Sequence, residues 1–194
     1  QHAGPAPQAS TSPRVAAQPT ARDEHDVHLA IARTTEPTSE AIGLIASQLQ
    51  IEGLEAEFVL MLLTKIASWL KDRTRSVQGV QRWFFATHCH AAVLRVLRSY
   101  PLAVDLHNVA CRVVGWASYN SVHNAVAFVR SGAVEEICQC LEQNLLDRDL
   151  FRHGLYAVGC LAHFGSGSQH ANSANAASLA IRGMQTHRQS RSVQ

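Results

Sequence analysis

Histidine and cysteine side chains, which can bind metals or act in nucleophilic catalysis, cluster at three places in this sequence. The clusters are His88-Cys89-His90, Cys138 with Cys140, and Cys160 with His163. Because only residues three or four apart share a helix face, the members of the first two clusters point in different directions, and no metal site is predicted. Cys160 and His163 have the spacing of a Cys/His nucleophile, but no acyl-transfer signature or glycine-rich phosphate loop accompanies them. We therefore expect a protein that is not an enzyme, with no cofactor and no small-molecule substrate.

Six basic side chains form the main charge asymmetry of the chain, and they could contact phosphate or an acidic partner. They are Lys71, Arg73, Arg75, Arg82, Arg95 and Arg98. Asp72 is the single acid between residues 71 and 98. This basic face makes a nucleic-acid-associated helical protein the alternative interpretation, although a solvated loop and helix face explains the same residues. The neighbouring Trp83, Phe84 and Phe85 are better explained by packing on a core than by base stacking.

The overall charge is close to balanced, with 17 Lys and Arg against 15 Asp and Glu among 194 residues. A dedicated binder of nucleic acid or of acidic membranes needs a concentrated basic face, so both are disfavoured. The longest apolar run, residues 58–63, is far below the roughly 20 residues that a transmembrane helix needs. The five cysteines are an odd number, which favours a reducing compartment over a disulfide scaffold. We expect a cytoplasmic protein, with the nucleus as the alternative.

Composition divides the chain into three parts. Residues 1–38 are rich in Pro, Ala, Ser, Thr and Gln and are predicted to form a disordered arm. Residues 1–22 contain two Arg and no acid, so a transit peptide is the alternative there. Residues 39–165 have apolar side chains at spacings of three and four, which predicts a helical domain. Residues 166–194 are predicted to be a flexible tail that begins with a Gly-Ser-rich linker and contains at most a weak helix over residues 174–184.

Helix-capping and helix-breaking residues indicate where the helices of the central region begin and end. They are expected over residues 39–53, 54–71, 79–100 with a bend near residues 87–89, 102–119, 122–131, 133–143 and 147–164. Ser39 is predicted as the first N-cap, because Glu40 follows it where the helix dipole favours an acid. Pro101 ends the bent helix, since the residue before a proline disfavours the helical conformation. The central region is therefore predicted to be almost entirely helical.

An internal repeat becomes visible when the sequence is shifted along itself. The matched pairs include Phe84 with Phe128, Leu97 with Leu141 and Val114 with Val158 at a shift of 44, and Ile45 with Ile137 and Leu63 with Leu155 at a shift of 92. Chance agreement between amphipathic helices is the alternative explanation. Because two helices and their connecting loop agree in one ungapped register, we predict three copies, spaced by 48 and 44 residues.

The third copy contains a recognisable sequence motif. It reads Asn124-Ala-Val-Ala-Phe-Val-Arg-Ser-Gly132-Ala-Val-Glu-Glu-Ile137, and later Gly154-Leu-Tyr-Ala-Val158-Gly-Cys-Leu161-Ala162. This resembles an armadillo repeat, in which an Asn opens a short first helix and a Gly ends it. Gly132 suits the turn between the first two helices, since a left-handed conformation costs glycine little. His88 stands at that position in the second copy, and the first copy keeps only the second and third helices. The resemblance covers residues 41–164 and implies an all-α fold, a right-handed α-solenoid of about three repeats.

The resemblance also implies where a partner would bind. In this family the third helices line a concave groove that holds extended segments of partner proteins, commonly through an Asn near each helix end and a Trp one turn earlier. The Asn positions hold Ser68, Trp116 and Cys160, and the Trp positions hold Thr64, Arg112 and Tyr156. The missing Asn ladder argues against carrying over the binding of nuclear localisation signals or the clamping of extended peptides.

Residue types that dominate binding hot spots nevertheless remain in the expected groove. The expected partner-binding residues are Arg112, Trp116, Tyr119, His153 and Tyr156. Packing of Trp116 and Tyr156 between repeats is the alternative use of those two side chains. Together these features predict a non-catalytic scaffold or adaptor that binds protein partners, with nucleic acid and membrane disfavoured.

Overall fold

In the computed structural model, which describes residues 21–72 and 77–188, every regular element is an α-helix. The helices are α1 (Ala21–Arg33), α2 (Ser39–Gln48), α3 (Ala56–Lys71), α4 (Val77–Ala86), α5 (Cys89–Ser99), α6 (Val104–Ser118), α7 (Val122–Arg130), α8 (Ala133–Gln143), α9 (Arg148–Ala162), α10 (Gly167–Ser173) and α11 (Ala176–Thr186). The predicted all-α fold class is confirmed for these residues. None of the helices described is both long and apolar enough to cross a membrane.

The chain divides into two compact units, residues 1–33 and residues 34–194. The described part of the first unit is α1, which lies inside the segment 1–38 that the sequence predicted to be disordered. The disordered arm was predicted partly from its prolines. No proline falls between residues 19 and 37, so none interrupts α1. The alternative of a transit peptide over residues 1–22 falls almost entirely on residues 1–20, outside the described residues.

Helices also replace most of the flexible tail predicted over residues 166–194. The Gly-Ser stretch read as a linker turns tightly from α9 into α10, because a Cβ atom on Gly167 would lie 1.9 Å from the carbonyl oxygen of Leu161. The helix expected over residues 174–184 is present as α11, two residues further along the chain, and its Leu179 is buried in the core. Glycine therefore marks a close approach of backbones here rather than a flexible linker.

The helices of the second unit pack in three rows. The first row is α4, α7 and α10; the second is α2, α5, α8 and α11; the third is α3, α6 and α9, and each helix contacts its neighbour along the row. Helices α5 and α8 begin 44 residues apart, as do α6 and α9. The spacing that matched in the sequence is thus also a spacing of packed helices, with Phe84 and Phe128 at equivalent, fully buried positions.

Left-handed residues separate the first-row helices from the second-row helices. His88, Gly132 and Asn175 have φ angles of 54°, 85° and 59°. The bent helix expected over residues 79–100 is therefore two helices, broken at His88, and His and Asn tolerate this conformation better than most side chains. Because Asn175 follows Gly132 by 43 residues, α10 and α11 stand where the first two helices of a further copy would be.

The helix expected over residues 39–53 is also shorter than predicted. It ends at Gln48, and Thr38 rather than Ser39 caps it, with the Thr38 Oγ1 atom accepting a hydrogen bond of 3.0 Å from the amide of Ala41. One ion pair joins each of two neighbouring helix pairs in the second row: Arg98 to Glu136 at 2.6 Å between α5 and α8, and Arg182 to Glu142 at 2.7 Å between α8 and α11.

Candidate partner-binding groove

Helices α6 and α9 position four of the five predicted partner-binding residues. Arg112 and Trp116 lie one turn apart on α6, and His153 and Tyr156 lie on α9. Tyr119 is the C-cap of α6 and is 56% exposed. Because α6 packs between α3 and α9, neighbours on both sides fix its orientation.

Arg112 and Trp116 form a cation–π pair. The guanidinium carbon of Arg112 lies 4.9 Å from the centroid of the Trp116 ring, and both side chains are half-buried. Residues four apart on a helix are neighbours, so the sequence spacing already allowed this contact. The pair holds the indole in place at the rim of a surface that faces solvent.

Tyr156 packs between two third-row helices and is exposed as well. A Cβ atom on Gly115 would lie only 2.6 and 2.8 Å from two carbons of the Tyr156 ring, so the ring rests directly on the backbone of α6. Yet 40% of Tyr156 remains accessible. The two uses of this residue that the sequence left open are therefore compatible, since one ring face supports the packing while the rest is available to a partner.

His153 bridges α6 and α9. Its Nδ1 atom donates a hydrogen bond of 2.6 Å to Oδ1 of Asn108, and its Nε2 atom accepts one of 3.0 Å from Nη2 of Arg152. Burial, followed by the positive charges of Arg152 and Arg112, lowers the pKa of His153 to about 4, although Asp149 opposes this. The neutral imidazole thus serves the joint between the helices, and His153 is less available to a partner than the aromatic residues.

A groove of about 1200 Å³ brings Trp116, Tyr119 and Tyr156 together. It runs past the C-terminal ends of the third-row helices and the start of α4. Its other lining residues are Ser68, Leu70, Lys71, Asp72, Val77, Gln78, Gln81 and Asn120. Arg112 and His153 are not among the lining residues. The groove therefore contains three of the five predicted side chains, together with Lys71 of the basic face.

A smaller pocket of about 360 Å³ continues the groove along α9. Tyr119, Asn120 and Tyr156 line both cavities. The smaller one is also lined by residues at the end of α9, namely Gly159, Cys160, His163 and Phe164. Ser118 also lines it, and its buried Oγ atom has no hydrogen-bond partner. Sequence reasoning missed Ser118 and Asn120, although their place beside Tyr119 at the end of a third-row helix was the available signal.

Two buried amides hold the backbone beneath the aromatic residues. The Gln81 Nε2 atom donates to the carbonyl oxygens of Trp116 at 3.0 Å and Tyr119 at 2.8 Å. The Asn124 Nδ2 atom donates to the carbonyl oxygens of Gln81 at 3.0 Å and Ala117 at 3.1 Å. The last turn of a helix leaves carbonyl groups without partners, and these side chains from α4 and α7 satisfy three of them.

The cysteines lie in environments that suppress thiolate chemistry. Burial raises the pKa of Cys138 to about 11 and that of Cys140 to about 12, and it also raises the pKa of Cys160 beside His163. Cys89, between His88 and His90, is fully buried. Within the two described ranges, no group of three or more His, Cys, Asp or Glu side chains could hold a metal ion.

Two of the described residues of the predicted basic face donate hydrogen bonds within the fold. Arg95 donates from Nε to the carbonyl oxygen of Leu49 at 2.9 Å, and Arg98 donates to Glu136 and to the carbonyl oxygen of Ser131. These two guanidinium groups therefore join α5 to the end of α2, to α8 and to the end of α7. Lys71 and Arg82 are exposed. Arg73 and Arg75 lie outside the described residues.

A scan against protein-family models finds no match to this chain, and a search of curated proteins finds none either.

Proposed function

We propose that residues 34–188 form a right-handed α-solenoid of armadillo-like repeats and act as a non-catalytic scaffold for protein partners. The partner would lie in the groove across the ends of α3, α6 and α9. The observation that carries this proposal is the convergence of Trp116, Tyr119 and Tyr156 on one open groove. Exposed aromatic side chains on a rigid support are the residue type that contributes most to protein interfaces.

The geometry favours an extended segment over a folded domain. Two cavities in line, of about 1200 and 360 Å³, share Tyr119, Asn120 and Tyr156. An extended chain would place successive side chains in the two cavities. Because the family's Asn ladder is absent, we expect aromatic packing rather than amide clamps to supply most of the affinity.

The raised pKa values of the cysteine thiols support a non-catalytic role, because an activated cysteine needs a lowered pKa. A reducing compartment, the cytoplasm or the nucleus, suits buried free thiols and belongs to the same proposal. The alternative, nucleic-acid binding through the basic face, has less support, since Arg95 and Arg98 donate to groups within the fold. Steep loss of binding with added salt would be its signature.

The test is a peptide-display selection on the immobilised full chain, followed by measurement of Kd for an enriched peptide by fluorescence anisotropy. For Trp116→Ala/Tyr119→Ala we expect binding weaker by roughly tenfold or more, the loss typical of a hot spot. Leu102→Ala/Leu146→Ala is the matched control, because these leucines are 92% and 86% exposed in loops and line neither cavity. Failure to enrich any peptide, or equal affinity for both double variants, would overturn the proposal.

A further inference from the structure

Helices α6 and α9 occupy equivalent places in the third row, yet their burial differs in a regular way. Ten of the fifteen residues of α6 are buried, against six of the fifteen of α9. At a shift of 44, all six buried residues of α9 match buried residues of α6. Three of the four unmatched positions are Cys111, Gly115 and Ser118 on α6, which correspond to Leu155, Gly159 and Ala162 on α9.

These three positions form one stripe of the helix, because they are spaced by four and three residues. On α6 the stripe faces α9, since Tyr156 lies on Gly115. On α9 the equivalent stripe, which we call the outer stripe (Leu155, Gly159 and Ala162), is half-buried or exposed. A Cβ atom added to Gly159 would have nothing within 4 Å, so the position that corresponds to the Tyr156 seat is open.

The neighbouring helices of the next copy are already in place. Helix α10 contacts α7 and α11 contacts α8, as the preceding helices of each row do. Phe151 packs against Gly183 of α11, where a Cβ atom would lie 1.8 Å from the ring. The first and second rows therefore extend one helix past the third row among the described residues, and α9 has a neighbour of its own kind on one side only.

Charge indicates what kind of helix would fit there. Arg152 stands 44 residues after Asn108, the residue that accepts a hydrogen bond from His153 across the α6–α9 joint. The buried Nε atom of Arg152 has no hydrogen-bond partner, and its Nη2 atom lies 3.6 Å from Asp149 Oδ1. A carboxylate at the position equivalent to His153 on an added helix would meet this guanidinium group.

We infer that the outer stripe of α9 binds an amphipathic helix of a partner protein, which carries an aromatic residue seated on Gly159 and an acidic residue three positions earlier. This helix would continue the third row in the register in which α9 packs on α6. The outer stripe meets the groove at the smaller pocket, which Gly159 also lines, but it shares no residue with the larger cavity.

A synthetic peptide with the sequence of residues 148–162 serves as the probe, with His153→Glu supplying the carboxylate and Tyr156 the aromatic ring. A short helix is only marginally stable in water, so one side-chain staple on the face opposite the tyrosine keeps it helical. Fluorescence anisotropy with the full chain should show saturable binding. No saturable binding at the highest soluble peptide concentration would overturn the inference.

Charge reversal locates the site. Arg152→Glu in the chain should weaken binding by roughly tenfold or more, and a peptide with His153→Arg in place of His153→Glu should restore it. Gly159→Gln should weaken binding to a similar degree and leaves the fold intact, because its side chain enters open space. Leu146→Glu is the control, since Leu146 is an exposed loop residue. A peptide that exchanged with α9 itself would be insensitive to Arg152→Glu and Gly159→Gln, and that result would overturn the inference.

Two further measurements exclude other occupants and separate the two proposals. Analytical ultracentrifugation that showed a dimer abolished by Gly159→Gln would overturn the inference in favour of a second copy of the chain. Trp116→Ala should leave binding of the helical peptide within about twofold, because Trp116 lies neither on the outer stripe nor in the smaller pocket that Gly159 lines. Because Trp116 lines the larger cavity, the same variant should weaken binding of the groove peptide, so failure of one proposal is distinguishable from failure of the other.

Discussion

Helices α6 and α9 carry a glycine at the same position, but the surroundings of the two glycines differ. Gly115 of α6 carries the ring of Tyr156 on its backbone, while Gly159 of α9, 44 residues later, has empty space above it. Both glycines lie within a helix, three residues before its last residue. Glycine is therefore required for close packing on α6 but not on α9, and the difference comes from the helix that packs on α6.

The largest effect is expected where alanine replaces each of these glycines. Gly115→Ala should lower the free energy of unfolding by about 1–3 kcal/mol, because the added methyl group collides with the Tyr156 ring. Gly159→Ala should raise it by up to about 1 kcal/mol, because alanine is the better helix former and meets no neighbour. Urea unfolding of both variants checks the opposite signs.

Tyr156→Ala provides the control for this comparison. In that background the ring is gone, so Gly115→Ala should lose most of its destabilising effect and the double-mutant cycle should show strong coupling. Equal effects of Gly115→Ala with and without the Tyr156 ring would mean that the collision is not what distinguishes the two glycines.

The pH dependence of stability also distinguishes α9 from α6, because His153 of α9 corresponds to Val109 of α6, which carries no titratable group. Since the pKa of His153 is lowered from 6.5 to about 4 in the folded chain, the unfolded chain binds more protons between those values. The stabilisation is therefore complete above pH 6.5 and is lost as the pH falls towards about 4. His153→Gln should flatten the pH dependence of the urea midpoint over this range. Because burial also lowers the pKa of His90 and His107, the variant should keep part of the pH dependence. Parallel pH profiles for the wild type and His153→Gln would contradict the prediction.

The smallest effects are expected at the two ion pairs of the second row. Arg98→Gln should cost about 1 kcal/mol, because Arg98 also donates to the carbonyl oxygen of Ser131 at 2.9 Å. Arg182→Gln should cost at most about 0.5 kcal/mol, as expected for an exposed pair. Thermal unfolding at low and high salt measures both, and salt should reduce the difference between wild type and Arg182→Gln. A larger loss for Arg182→Gln than for Arg98→Gln would reverse the expected order.

The helices from α4 to α9 were predicted well from the sequence, because their apolar spacing and their turn residues indicate the same boundaries. Gly132 was expected to turn the chain, and the bend near His88 was placed correctly, although its left-handed conformation was not foreseen. The helices after α9 were missed, since Gly165 and Gly167 suggest flexibility by composition. The available signal was Asn175, which follows Gly132 at nearly the repeat spacing.

The candidate site was predictable where it depends on one helix and unpredictable where it depends on two. Arg112 and Trp116 could be paired from their spacing alone. His153 could not be recognised as a neutral bridge, because its hydrogen bond reaches Asn108 on another helix, 45 residues away. The outer stripe was equally hidden, since it is defined by comparing the burial of two helices.

The amides of Gln81 and Asn124 have a consequence for the thermodynamics of binding. They fix the backbone at Trp116, Ala117 and Tyr119 before any partner arrives. Association then orders side chains alone, at about 0.5–1.5 kcal/mol for each immobilised side chain, and leaves the main chain as it was. The groove is preorganised, so the entropy lost on binding falls mainly on the segment that enters it.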